Sequence, residues 1–139
     1  MSITVSEIEN NMVLKQLLSN INLPDTIKQV ELQILNLNKV ILIGYSGHGH
    51  VVADTAIENK LIILGYADNS LVVNNPFLLN YLGNEREEDF FYKYRGVKFL
   101  IGIGDNIIRE KIYNLIIEKE REIDSLISQS ASISKYASI

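Results

Sequence analysis

Val40-Ile41-Leu42-Ile43-Gly44-Tyr45-Ser46-Gly47-His48-Gly49-His50-Val51-Val52-Ala53 is the stretch that decides the fold. Its first four residues are branched and apolar without alternation, the pattern of a strand covered on both faces, as in a parallel sheet. A Gly-rich turn follows from Gly44 to Gly49. Val51, Val52, Ala53, Ala56 and Ile57 then predict a short helix ending near Asn59. A second apolar run, Leu61 to Tyr66, ends at Ala67-Asp68-Asn69-Ser70 and reads as the next strand. Strand, helix and parallel strand make one β-α-β unit, whose crossover is right-handed.

The same texture returns further along. Val97 to Ile103 predicts a third strand, Gly102-Ile103-Gly104-Asp105-Asn106 a second Gly-rich turn, and Ile107 to about Glu118 a helix that buries Ile108, Ile112, Leu115 and Ile116. Alternating strands and helices, with ligand-type turns at the carboxyl ends of strands, define an α/β fold. The expected architecture for residues 39–126 is a Rossmann-like open parallel sheet with helices on both faces. Between the second and third strands, Pro76 to Leu82 predicts a short helix and the mostly acidic Asn84 to Asp89 a solvated loop.

Residues 1–38 contain no glycine and read as a short helical leader. Ser6 and Glu9 have capping-box spacing, and Leu14, Leu17, Leu18 and Ile21 form one stripe of a helix from about Glu7 to Ser19. After the turn Asn22-Leu23-Pro24-Asp25, Ile27, Val30 and Ile34 fit a helix, while Val30, Leu32 and Ile34 fit a strand. Asp25 or Thr26 as an N-cap favours the helix. At the other end, over residues 127–139, Ile127, Ile133 and Ile139 are spaced by six. Six is the repeat of a left-handed parallel β-helix, so a hexapeptide-repeat domain is expected to begin there and to be cut short.

A chain of 139 residues that is 47% apolar suffices for one core. Its apolar runs fall far below the ~18 residues of a spanning helix, and Met1 to Asn20 lacks the features of a secretory signal, so no membrane association and a cytoplasmic location are expected. The absence of cysteine excludes disulfides and zinc-thiolate sites and agrees with that compartment. A net charge of −4 argues against a nucleic-acid partner and for a small molecule.

The chemistry lies in the turns. A Gly-rich turn that opens a helix presents backbone N–H groups and a helix dipole to an anion, although it also serves simply to pack helix against strand. The spacing Gly-x-x-Gly-x-Gly departs from the dinucleotide fingerprint, because the third glycine would fall at Val52. Asp68, ending the second strand, has the place of an acid that accepts hydrogen bonds from a ribose or base. His48 either donates to a ligand oxygen or bonds backbone at the helix start, and Arg109 either pairs with a phosphate or makes a surface ion pair. His50 reads as structural or exposed. The two histidines would point about 200° apart on a helix, which excludes a shared metal site. A serine-hydrolase elbow fails at His48, where its second glycine belongs.

Taken together, Val40 to Asp54, Gly65-Tyr66-Ala67-Asp68 and Phe99 to Asn106 with Arg109 resemble the N-terminal domain of the bacterial sugar O- and N-acyltransferases of surface-glycan (polysaccharide) biosynthesis, typified by sialic acid O-acetyltransferase and the UDP-amino-sugar acetyltransferases. The resemblance implies a nucleotide-activated sugar, UDP- or CMP-linked, in the crevice between the two turns. Gly44, Ser46, Gly47 and His48 would meet its phosphates or sugar, Asp68 its base or ribose, and Gly102, Gly104, Asn106 and Arg109 the far wall. It also implies a β-helix that forms a homotrimer, binds acetyl-CoA and carries the catalytic histidine. Leu126 to Ala131 stands in place of the family's His-Pro-Ser-Ala motif, and on this reading the β-helix itself is expected to be absent from these residues. This chain alone is therefore expected to hold no catalytic residue, metal or acetyl-CoA, and to be a monomer, or a dimer through the Leu14 stripe. Rival expectations are a non-enzymatic nucleotide-binding sensor or interaction module, and an NAD-binding fragment.

Overall fold

The computed structural model describes residues 24–27 and 38–139. The leader helix with its Leu14, Leu17, Leu18 and Ile21 stripe, and the ambiguous segment after Ile27, lie outside these residues. Within 24–27, one helical turn forms over 25–27, with the Ile27 N–H donating to the Pro24 carbonyl at 3.0 Å.

From residue 38 onward the chain alternates β1 (Lys39–Ile43), α1 (Gly47–Glu58), β2 (Ile62–Ala67), α2 (Phe90–Lys93), β3 (Lys98–Ile101) and α3 (Asn106–Glu118). All three strands are parallel, in the order β2-β1-β3. The unalternated β1 is buried along its whole length because it is the central strand and has a helix on each face. On one face Val40 and Leu42 pack with Ala53 and Ala56 of α1. On the other, Ile41 and Ile43 meet Ile112 and Ile116 of α3 and the aromatic pair Phe90 and Phe91 of α2. This is the Rossmann-like open sheet that the strand-turn-helix pattern predicts. The face of α1 on the sheet is made of small residues, Ala53 and Ala56, whereas α3 packs with the branched Ile112 and Ile116.

Several local expectations are corrected. Helix α1 begins at Gly47, four residues before the apolar run, so Gly47, His48 and Gly49 belong to its first turn. Pro76 to Leu82 is not a helix: residues 80–82 extend beside β2, where Tyr66 N–H donates to the Asn80 carbonyl and Leu82 N–H to the Tyr66 carbonyl. Backbone pairing with β2's free edge outweighs local propensity there. Gly65 allows the approach, since a Cβ on it would lie 2.5 Å from the Asn80 carbonyl oxygen. In the acidic run, Arg86 to Asp89 are exposed but Glu85 is buried. In α3, Ile108 is 43% exposed because the helix starts beyond the carboxyl edge of the sheet, and only from Ile112 does its stripe reach the core.

The tail, Ile127 to Ile139, is largely exposed and carries two turns, closed by Ala131 N–H to Ser128 C=O and Ala137 N–H to Ser134 C=O, both 3.0 Å. The turns recur at the six-residue interval of the isoleucines. The tail is tied to the end of α1 by Asn59 Nδ2 donating to the Ile127 carbonyl (3.1 Å) and Gln129 Nε2 to the Glu58 carbonyl (2.8 Å).

Candidate functional site

Parallel β1 and β3 bring both Gly-rich turns to one edge of the sheet, and three glycines fix the junction. A Cβ on Gly49 would lie 2.4 Å from the Gly44 carbonyl oxygen, and one on Gly102 would lie 2.3 Å from that oxygen and 2.8 Å from Gly49 Cα. Gly44 itself adopts φ +89°, a conformation that L side chains rarely take. Gly44, Gly49 and Gly102 thus meet backbone to backbone, and their lack of a side chain is explained by packing.

Gly47 is different. It lies in the first turn of α1, is exposed, and would meet nothing within 4 Å if it carried a Cβ. Ser46 before it is extended and its side chain makes no capping hydrogen bond. Among the described residues no side chain caps the first turn of α1, so its N–H groups stay orphan donors with the positive end of the helix dipole behind them. They open on a cleft of about 380 Å³ lined by Tyr45, Ser46, Gly47, His50, Asp68 and the segment Ser70 to Asn74. Clefts of this size suit small molecules.

Asp68 forms the acidic wall. Its Oδ2 accepts the Tyr45 N–H at 3.0 Å and its Oδ1 accepts the Asn69 N–H at 2.8 Å. A carboxylate offers about four lone-pair sites, so each oxygen retains capacity for a ligand donor. The Tyr45 ring is buried against His50, with centroids 4.9 Å apart in an edge arrangement, and against Tyr66 at 4.7 Å. His50 Nε2 is buried without a hydrogen-bond partner among the described residues.

The expected site residues are thus divided. Ser46, Gly47 and Asp68 line one cleft, whereas Gly44 and Gly102 lie in the packed junction behind it. His48 is exposed and lies beside Gly104, away from the cleft lining: a Cβ on Gly104 would be 3.4 Å from His48 Cβ. At the second turn, Asp105 caps its own helix by accepting from the Ile107 and Ile108 N–H groups, both at 2.9 Å. Asn106 and Arg109 are hydrogen-bonded to one another on the surface, Nη2 to Oδ1. Tyr45, His50 and Ser70 to Asn74 are cleft residues that sequence reasoning missed. The available signal was Tyr45's position inside the first turn; nothing local marks the others.

Near the same edge, Glu85 is buried with Oε2 unpartnered among the described residues, and burial raises its carboxyl pKa above the usual value, with Asp68 adding to the rise. Stability linked to its neutral form is full below the ordinary glutamate pKa and is lost as pH rises through the raised one. Tyr81 is also raised, through desolvation and then Glu87 and Asp68, so its hydroxyl remains a donor at neutral pH. Among the described residues no group of three His, Asp or Glu side chains is arranged to hold a metal, and no helix is long and apolar enough to cross a membrane.

An open parallel sheet with helices on both faces and a cleft of mixed polarity at its carboxyl edge defines a Rossmann-like domain. The family described as PglD N-terminal domain matches residues 39–116, more than half of the chain. The chain belongs to that family, the N-terminal domain of PglD-type sugar acetyltransferases. A search among curated proteins finds no match.

Proposed function

We propose that this domain binds a nucleotide-activated sugar, UDP- or CMP-linked, for an acetyl-CoA-dependent sugar acyltransferase of surface-glycan synthesis. The observation that carries the proposal is the convergence of an uncapped helix end at Ser46 and Gly47 with the Asp68 carboxylate in one cleft. The helix end takes the phosphates through its N–H groups, and the open space over Gly47 lets them approach the backbone. Asp68 accepts hydrogen bonds from ribose or base. Acyl transfer, the attack of a sugar amine or hydroxyl on the acetyl-CoA carbonyl with a general base removing the proton, belongs to a β-helix domain that follows in the whole enzyme and forms its trimer. The chain described here does not perform it.

The test is a panel of UDP-, CMP- and GDP-sugars, NAD and acetyl-CoA, read by thermal shift and calorimetry. A nucleoside-diphosphate or CMP-sugar at one hundred times its Kd should stabilise the fold by about 2.7 kcal/mol. Stabilisation by acetyl-CoA alone, or steady release of coenzyme A thiol in a coupled assay, overturns the proposal. A preference for NAD supports the dinucleotide alternative instead.

A further inference from the structure

Between β2 and residue 80 the chain forms a loop without regular structure, yet three tyrosine hydroxyls hold it along its length. Tyr81 Oη donates to the Asp68 carbonyl at 3.0 Å where the loop begins. Tyr66 Oη accepts the Val72 N–H at 3.0 Å in its middle. Near its end Tyr45 Oη donates to Asn75 Oδ1 at 2.8 Å and accepts the Phe77 N–H at 3.1 Å. Asn75 closes the turn by accepting from the Leu79 N–H and donating to the Leu79 carbonyl, both at 2.8 Å. The three rings pack in sequence at a tilt, Tyr45 against Tyr66 at 4.7 Å and Tyr66 against Tyr81 at 5.3 Å. Tyr66 lies on β2 and Tyr45 in the turn just after β1, and both are buried, so the clasp is anchored in the core.

The clasped segment holds two apolar side chains out to solvent, Leu71 at 68% and Val73 at 103% exposure, and both line the cleft that contains Ser46, Gly47 and Asp68. Ordering a loop costs conformational entropy, and here the ordered part displays apolar groups beside the polar Ser46, Gly47 and Asp68 side of the cleft. The cleft is consequently two-ended, with anion-accepting N–H groups on one side and an apolar rim on the other. A ligand that matches both ends carries phosphate at one end and a flat, weakly polar ring at the other.

We propose that Ser70 to Asn74 is a specificity lip, positioned by the hydroxyls of Tyr45, Tyr66 and Tyr81, that packs Leu71 and Val73 against the nucleoside end of the ligand while the end of α1 takes the phosphates. The inference rests on the nucleotide reading of this cleft and adds which segment selects the base.

The experiment measures pyrophosphate, UDP, CDP and GDP by calorimetry against the wild-type chain, Val73→Asp and Tyr45→Phe. Val73 is fully exposed, so its replacement leaves the fold intact. Val73→Asp should weaken the preferred nucleoside diphosphate about tenfold, the worth of burying part of a valine, and leave pyrophosphate within about twofold. Tyr45→Phe keeps the ring but releases Asn75 and the Phe77 N–H. It should weaken the same nucleotide about threefold, spare pyrophosphate, and speed amide exchange at Phe77 and Leu79 but not in β1. Unchanged nucleotide affinity in Val73→Asp, or an equal loss for pyrophosphate, overturns the lip. Wild-type binding of pyrophosphate without any nucleoside diphosphate overturns the lip and leaves the anion site standing. Binding of none of the four overturns the nucleotide reading as well.

Discussion

At the end of β1 the chain enters α1 through Ser46, whose side chain caps nothing, whereas at the end of β3 it enters α3 through Asp105, whose carboxylate accepts two N–H groups of the first turn. Both turns follow parallel strands, both are glycine-rich, and both open on one edge of the sheet. The first leaves its donors and dipole unanswered in a cleft. The second answers its own donors with a carboxylate and carries an Asn106 and Arg109 pair bonded to each other. A Gly-rich strand-to-helix turn keeps its first-turn donors for a ligand when its cap residue withholds its side chain, as Ser46 does and Asp105 does not. The glycines divide the same way: Gly102 exists for packing, while Gly47 has no neighbour to accommodate.

The strongest challenge to this contrast is Gly102→Ala. Its new Cβ would press on backbone atoms of Gly44 and Gly49, which cannot rotate away, so urea denaturation should show a loss of about 3 kcal/mol. A loss below about 1 kcal/mol would mean that the junction yields and that packing does not explain its glycines. Next in size is Asp105→Ala, expected to cost about 1 kcal/mol of stability as a lost N-cap, with nucleotide affinity unchanged in calorimetry. Gly47→Ala should do the reverse. Alanine in the first turn is worth roughly 0.5 kcal/mol in added stability, but its methyl group occupies the approach to the helix end and weakens nucleotide binding. Smallest of all on stability is Ser46→Ala, expected within about 0.5 kcal/mol because no cap is lost. A fall comparable to that of Asp105→Ala would show that the two helix starts are alike after all.

Asp68 refines the comparison from another direction. Because its Oδ2 holds the buried Tyr45 N–H, Asp68→Ala should weaken ligand binding and also lower stability by about 1–3 kcal/mol, the cost of an unmet buried donor. Asp68→Asn, which keeps an acceptor oxygen, should recover much of the stability and less of the binding. Parallel denaturation and calorimetry separate the two effects.

Much of the fold was legible because its signals are local. The unalternated Val40 to Ile43 run announces a central strand, and the return of strand, glycine turn and amphipathic helix at Val97 to Glu118 announces the second unit. Of the candidate cleft, the sequence marked only residues whose role follows from their own position: Ser46 and Gly47 at a helix start, Asp68 at a strand end. What stayed hidden depends on contacts between distant residues. The meeting of Gly44, Gly49 and Gly102 spans 58 positions, and the grip of Tyr45 on Asn75 spans 30. Neither leaves a periodic trace. Glu85 shows the opposite error, since an acidic run reads as solvated while one member is enclosed by the fold. The four-residue α2 is too short to produce a helical stripe, and its Phe90 and Phe91 are held by packing on Phe99 rather than by propensity.

The three-glycine junction also bears on how fast a ligand is captured. Side-chain contacts relax by rotamer jumps on picosecond to nanosecond scales, but a contact made of backbone alone has no such freedom. The start of α1 is thereby seated on β1 and β3 without adjustable parts. On the proposed reading, a phosphate reaching Ser46 and Gly47 would meet a socket already in its final shape, without a conformational delay at that end. The tyrosine-held loop, secured by individual hydrogen bonds rather than by backbone packing, has more freedom than that junction, so on the proposed reading anchoring would precede discrimination.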